Sequence, residues 1–509
     1  MRCVTVCLLA MSTLPVTANG QTARMQMPSQ APPSGAPPAK LLPGMGSLHH
    51  TIATTNPEAQ KFFDQGLTLV YAFNFLEAYH SFQRAAELDP REPMPHWGAA
   101  LALGPNYNAG ASSLMQRLAY REISKATELA AGAPQNEKDY VQALAQRYSN
   151  AAPPDQQQLA NDYAAAMRGL SRKYPADPDA ATLYAQSLMQ LHPWHLWTAE
   201  GKPRENTEEI VAVLEDVLRR WPEHVGANHL YIHALEASPD PARALPSAKR
   251  LETLVPGAGH LVHMPSHIYI HTGDYAAAVK SNEDAVAADR VYLRERGIPN
   301  YPYVQSYVDH NFYFLMYAAM MDGQFQTAAR AAEQLATDAA ANPGLSMSQG
   351  FMSFRGLVLL RYARWDAVLK VPTPDAKMLF ADFYWHFARG CALAAMGRPE
   401  PAETERQAME ERTSKCPPDQ SLIYPRPAGK LFTGLHCRCS MRGSLQRIMT
   451  MCTPSGTGAR RWQFRMPRNI RNCLNGTIRF GNHLARRCFE MGKPWKRKRC
   501  FVKTCGATA

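Results

Sequence analysis

The chain has 509 residues and a formal net charge of +12, a balance that ordinarily points to nucleic acid or an acidic surface. The excess is confined to one end: residues 420–509 carry 19 Lys and Arg against the single acid Glu490, net +18, which leaves −6 for the rest. A basic, nucleic-acid-binding body is therefore not expected, and with no stretch of about 18 uninterrupted apolar residues neither is an integral membrane anchor.

Residues 1–18 place Arg2 before the apolar run Cys3–Ala10 and end on Val16-Thr17-Ala18, the pattern of a secretory signal with a small-residue cleavage site. Export to a periplasmic or extracellular compartment follows as an expectation. Residues 19–46, rich in Pro, Gly, Ser and Ala, read as a flexible tether, and residues 47–415 as the folded body. From Ala59, the run AQKFFDQGLTLVYAFNFLEAYHSFQRAAELDP puts Gly66, Ala78, Phe82, Ala85 and Pro90 at positions 8, 20, 24, 27 and 32 of a 34-residue unit. Small residues at 8 and 20 let two antiparallel helices approach, and the proline ends the second helix. This unit resembles the tetratricopeptide repeat. Gly273, Tyr275, Ala278 and Ala285 fit another copy, Gly323, Phe325 and Ala328 a third, and Gly390, Gly397 and Ala402 a further one.

Between these copies residues 114–150, 157–174 and 207–220 have helical apolar spacing without strand alternation. The expected fold is all-α, an α-solenoid of antiparallel helix pairs, because each pair buries its apolar face only against its neighbours. The phrases HWGAALALGPNYN, NHLYIHALEAS and GHLVHMPSHIYI are moreover similar to a widespread group of bacterial tetratricopeptide-repeat proteins. That likeness covers residues 48–411 and speaks to fold more than to activity.

The two central copies superpose at an offset of 34 residues, with His229 on His263 and His233 on His267. The resemblance implies that positions 2, 5, 9, 12 and 13 of a first helix face a concave groove. There it places His229, His233, Glu236, His260, His263, His267 and His271, with His310, Tyr313 and Tyr317 approaching from the next helix. Three readings stay open for this patch. It can be a hydrogen-bonded core network; a groove for a protein, a peptide or a small ligand, which makes the chain an interaction scaffold; or a transition-metal site for Zn, Cu or Fe on His229, His233, Glu236, His263 and His267, since His-x3-His puts two ligands on one helix face. No HExxH, P-loop, GxGxxG or nucleophile elbow is present, so no catalytic set follows. His192, Trp194, His195 and Trp197 read first as helix-end packing, and residues 104–108 as turn chemistry.

Residues 416–509 match nothing upstream and hold eight of the eleven cysteines, with spacings unlike zinc knuckles. Allowed codons for residues 435–466 and 477–507, read from each third base, spell amphipathic segments carrying the upstream repeat landmarks. The tail is accordingly read as disordered product of a frameshift that begins between Cys416 and Leu431, and its charge carries no functional weight.

Overall fold

A computed structural model describes residues 39–150, 155–297, 303–341, 348–375 and 377–415. The expected signal sequence, most of the expected tether and the tail from residue 416 lie outside the described residues. Within them the fold is the all-α solenoid of antiparallel helix pairs that the register predicts.

Each pair follows from local signals. Helix α1 (Pro57–Tyr71) starts on Asn56, whose side chain accepts from the Glu58 and Ala59 amides, and has Pro57 at its first position, where a missing N–H is harmless. It packs on α2 (Phe75–Leu88). The approach is as close as the repeat landmarks imply: a Cβ on Gly66 would lie 2.7 Å from the fully buried Phe82 ring. Next come α3 (Pro93–Leu103), α4 (Ser113–Leu129), α5 (Gln135–Ala145), α6 (Gln156–Lys173) and α7 (Pro178–Leu191). The stretch 114–150, read with helical apolar spacing, thus holds two helices. Gly132 and Pro134 interrupt it, the proline lacking the N–H that a continuing helix needs.

Helix α8 (Thr207–Arg220) matches its predicted span and packs between α7 and α9 (Val225–Leu235). Helix α10 (Leu245–Leu254) follows. The first helix of the next repeat is broken into α11 (Gly259–His263) and α12 (Pro265–Thr272), because Pro265 removes a donor in mid-helix. Helices α13 (Tyr275–Arg296), α14 (Asp309–Met321), α15 (Phe325–Ala341) and α16 (Ser348–Arg361), the short α17 (Trp365–Leu369), then α18 (Leu379–Ala395) and α19 (Pro399–Lys415) complete the order. No helix among the described residues is long and apolar enough to cross a membrane.

One feature departs from a solenoid in which only neighbours touch. Helix α9 returns to pack on α1, and α13 reaches α2 through a Tyr292–Glu77 hydrogen bond of 3.3 Å and a buried Arg296–Glu77 ion pair of 2.8 Å. Residues 39–46 also lie on the body, with the Leu42 amide donating to Gln65 Oε1 at 2.6 Å and the Gly257 amide to the Gly44 carbonyl at 2.8 Å. The surface expected to be a concave groove is thereby covered.

Closure of α9 on α1 depends on Gly226, since a Cβ there would run into the buried Tyr71 ring. Gly226→Ala is expected to destabilise the protein by about 1–3 kcal/mol, the usual range for overpacking. A lower thermal midpoint would register it, and an unchanged midpoint would mean that α9 does not close on α1.

Candidate metal centre

The closed interior collects six histidines from α9, α11, α12 and α14. His229 and His263 are fully buried, His233 and His260 are 3% exposed and His267 is 6% exposed. They form two groups. One ring nitrogen from each of His229, His233 and His260 lies within 4.8 Å of the others, and the same holds for His263, His267 and His310.

In the first group, His229 Nδ1–H donates to the Tyr71 carbonyl oxygen at 2.5 Å and His233 Nδ1–H to Glu236 Oε1 at 2.8 Å. A carbonyl or carboxylate oxygen can only accept, so both Nδ1 atoms carry the proton and both Nε2 atoms carry a lone pair. Those two Nε2 atoms and both nitrogens of His260 are buried without a hydrogen-bond partner among the described residues. In the second group, His267 Nδ1 lies 2.5 Å from Glu236 Oε2, His263 Nδ1 2.6 Å from Asn282 Oδ1, and the two Nε2 atoms 2.9 Å apart.

Electrostatics favour neutral imidazoles at His229, His233, His260, His263 and His310. Burial, aided by neighbouring histidines, holds His229, His260 and His263 well below the ordinary histidine range and takes His310 down to about 3. Burial also lowers His233, against the pull of Glu236. Burial would raise the Glu236 carboxyl, but His267 and His233 outweigh it and hold it well below the carboxylate range. A neutral imidazole with its outer N–H on a carboxylate or carbonyl is the form in which histidine ligates a metal.

Aromatic rings wall both groups. Phe73 lies 4.4 Å from the His229 ring centroid, 5.7 Å from His233 and 5.5 Å from His260. It occupies the left-handed region at φ 57°, where a helix end normally has glycine, and so does Trp194 at φ 62°, whose ring stands edge-on to His233 at 5.4 Å. Tyr107 and Tyr307 close the remaining sides, and Phe314 stacks on His267 at 4.5 Å. Two strained bulky residues over one cluster are a local expense that helix packing alone does not require.

Several expectations are redistributed. His260 and His310, expected in the groove but outside the metal set, complete the two groups. Glu236, expected as a ligand, is committed to the outer nitrogens of His233 and His267. His271 is exposed at the end of α12, Tyr313 stacks on Phe354 at 5.4 Å, and Tyr317 is half-buried. Trp194, expected to serve helix-end packing, is instead a wall of the site, while Trp197 donates to the Ala234 carbonyl at 2.7 Å. Phe73, Asn282, Tyr307 and Phe314 carry no sequence signal separating them from core, and only the turn at residues 104–108 hints at Tyr107.

A third cluster, His50, Asp177 and Asp179, differs in kind. Asp179 accepts from Tyr71 Oη at 2.6 Å, His224 Nε2 at 3.1 Å and His50 Nδ1 at 2.8 Å, and Asp177 caps α7 while accepting from Tyr140 Oη at 2.7 Å. Those bonds make it a satisfied structural network.

No family model and no curated protein matches the chain. Among solved structures it is similar to the tetratricopeptide-repeat domain of P58(IPK), with 12% identity over 77% of this chain and 98% of that one and a TM-score of 0.18. It is also similar to the APC/C hetero-tetramer Cut9-Hcn1, with 13% identity over 78% of each chain and a TM-score of 0.23.

Proposed function

We propose that the protein is a transition-metal protein on a helical-repeat scaffold, holding one divalent first-row cation on His229, His233 and His260. The supporting observation is the set of four buried, partnerless nitrogens in that group. Each unsatisfied buried polar atom costs about 1–3 kcal/mol, and an ion bound by one lone pair from each ring removes that penalty at three of the four nitrogens, the remaining one being the N–H of neutral His260. The fully bonded His50–Asp179 network shows that this interior can satisfy histidines where only structure is at stake.

Burial also argues about size. Histidines exposed by 6% or less offer little to a protein or peptide surface, so an ion suits them better than a macromolecule. Any protein partner of the solenoid would meet its outer helix faces. Imidazole ligands suit Zn, Cu, Fe or Ni, and three of them leave a coordination position for water or a substrate oxygen. The leader-like residues 1–18 support an exported protein, acquiring its metal outside the cytoplasm.

Full-length protein stripped with a chelator and titrated with Zn²⁺ against a chromophoric competitor tests the reading. Tight binding is expected, with one tightly bound equivalent lost on His260→Ala. Wild-type protein binding Zn²⁺ more weakly than about 10 µM, or His260→Ala binding as wild type does, overturns it.

A further inference from the structure

We infer that a second cation site lies beside the first, on His263, His267 and His310, so that the interior is built for two ions. The inference starts from a contact that hydrogen bonding does not explain. Asn282 Nδ2 sits 2.7 Å from the Ala278 carbonyl oxygen, which can only accept, so the amide must be oriented with its nitrogen there. Its Oδ1 then faces His263 Nδ1, which donates. On the other ring, Glu236 Oε2 takes the His267 Nδ1 proton. In neutral rings both Nε2 atoms are then lone-pair atoms, and they face each other at 2.9 Å.

Two lone pairs at that distance repel unless a positive charge lies between them. A shared proton would make one ring an imidazolium, with the Glu236 carboxylate on His267 as its counter-charge, and would give the His310 nitrogen no part in the cluster. A metal cation needs no such protonation. Nitrogens 2.9 Å apart are also spaced as adjacent ligands on one ion with bonds of about 2.0–2.1 Å meeting near a right angle. His310 supplies the third nitrogen, within 4.8 Å of the other two. Phe314 packs on all three rings, with centroids 4.5–4.7 Å away, and fixes their planes.

The two sites share one carboxylate. Glu236 holds His233 of the first triad through Oε1 and His267 of the second through Oε2. An ion in either site draws charge from that carboxylate and repels an ion in the other, so the second equivalent binds more weakly than the first. This inference rests on the proposed function only in sharing Glu236; its own ligands are separate residues.

The test is stoichiometry on the full chain. Stripped wild-type protein titrated with Zn²⁺, with bound metal measured by elemental analysis after gel filtration, is expected to take two equivalents, the second at least 10-fold weaker. His263→Ala and the milder His310→Gln should each hold one, as should His260→Ala. A wild type holding one equivalent that His263→Ala and His310→Gln lose and His260→Ala keeps would sink the first triad and leave the second standing. A wild type that saturates at one equivalent, unaffected by His263→Ala and His310→Gln, overturns the second site and identifies a shared proton there. Circular dichroism of each variant shows whether a loss reflects unfolding, and a wild-type count of two supports both sites independently of the variants.

Discussion

Glu236→Gln is expected to weaken one of the two proposed ion sites although it changes neither volume nor shape. The carboxylate offers an acceptor to each of two Nδ1–H groups, at 2.8 Å from His233 and 2.5 Å from His267. An amide offers one oxygen and one NH2. Whichever histidine faces the NH2 must turn its Nδ1 into an acceptor, and in a neutral ring the proton then moves to Nε2. That ring can no longer ligate. Loss of an outer-shell partner typically weakens metal affinity 10–100-fold, and here the change falls on one triad while the other keeps its tautomer. The expected result is one ion retained and one weakened by that factor or more, with Nε2–H appearing for one of the two histidines in nitrogen NMR. Glu236→Ala should weaken both ions, since it leaves two buried donors unpaired at about 1–3 kcal/mol each. A Gln variant with unchanged affinity for every bound ion would show that the carboxylate does not set the tautomers.

The histidines were legible in sequence because the 34-residue period repeats them; their burial was not. Register assigns a face of a helix, and His229 and His263 do share one. What lies opposite that face depends on contacts across long sequence separations, such as α9 on α1 through Gly226 and Tyr71, which a period of 34 cannot carry. The same holds for the split into two triads. His260 and His310 had been placed by position alone, and only the break at Pro265 and the approach of α14 determine which neighbours they join. Glu236 was recognised as part of the site but in the wrong layer. Its two oxygens point at outer nitrogens, a distinction that requires side-chain orientation. Phe73 was the least visible member. It reads as one more apolar residue in AFNFLEA, yet its backbone is at φ 57°, and the strain became meaningful only with three imidazoles under its ring.

Arg296→Met is expected to be the most destabilising single change in the body, at about 3–5 kcal/mol. Arg296 ends α13, Glu77 starts α2, and their side chains are 1% and 0% exposed. Removing the guanidinium leaves a carboxyl in the interior with only the Tyr292 hydroxyl at 3.3 Å to help it. In the wild type, burial already raises the Glu77 carboxyl above its ordinary value, with Arg296 opposing the rise. Without Arg296 the folded-state value goes higher still. A raised carboxyl contributes stability below its unfolded value of about 4.5, and that contribution is lost as pH climbs through the folded value. The deficit of the variant should therefore be smallest in acid and grow toward neutral pH. Glu77→Leu paired with Arg296→Met should recover most of the loss, because an apolar pair needs no compensation. Thermal midpoints of wild type, both single variants and the double variant at pH 4.5 and 7.5 measure all of this, and a single variant no less stable at pH 7.5 than at pH 4.5 would contradict it. The consequence reaches the metal centre. Glu77 stands in the first turn of α2, four residues after Phe73, so the ion pair that fastens α2 to α13 also steadies the Phe73 ring against His229, His233 and His260. A variant that loosens it should release metal faster even where it remains folded.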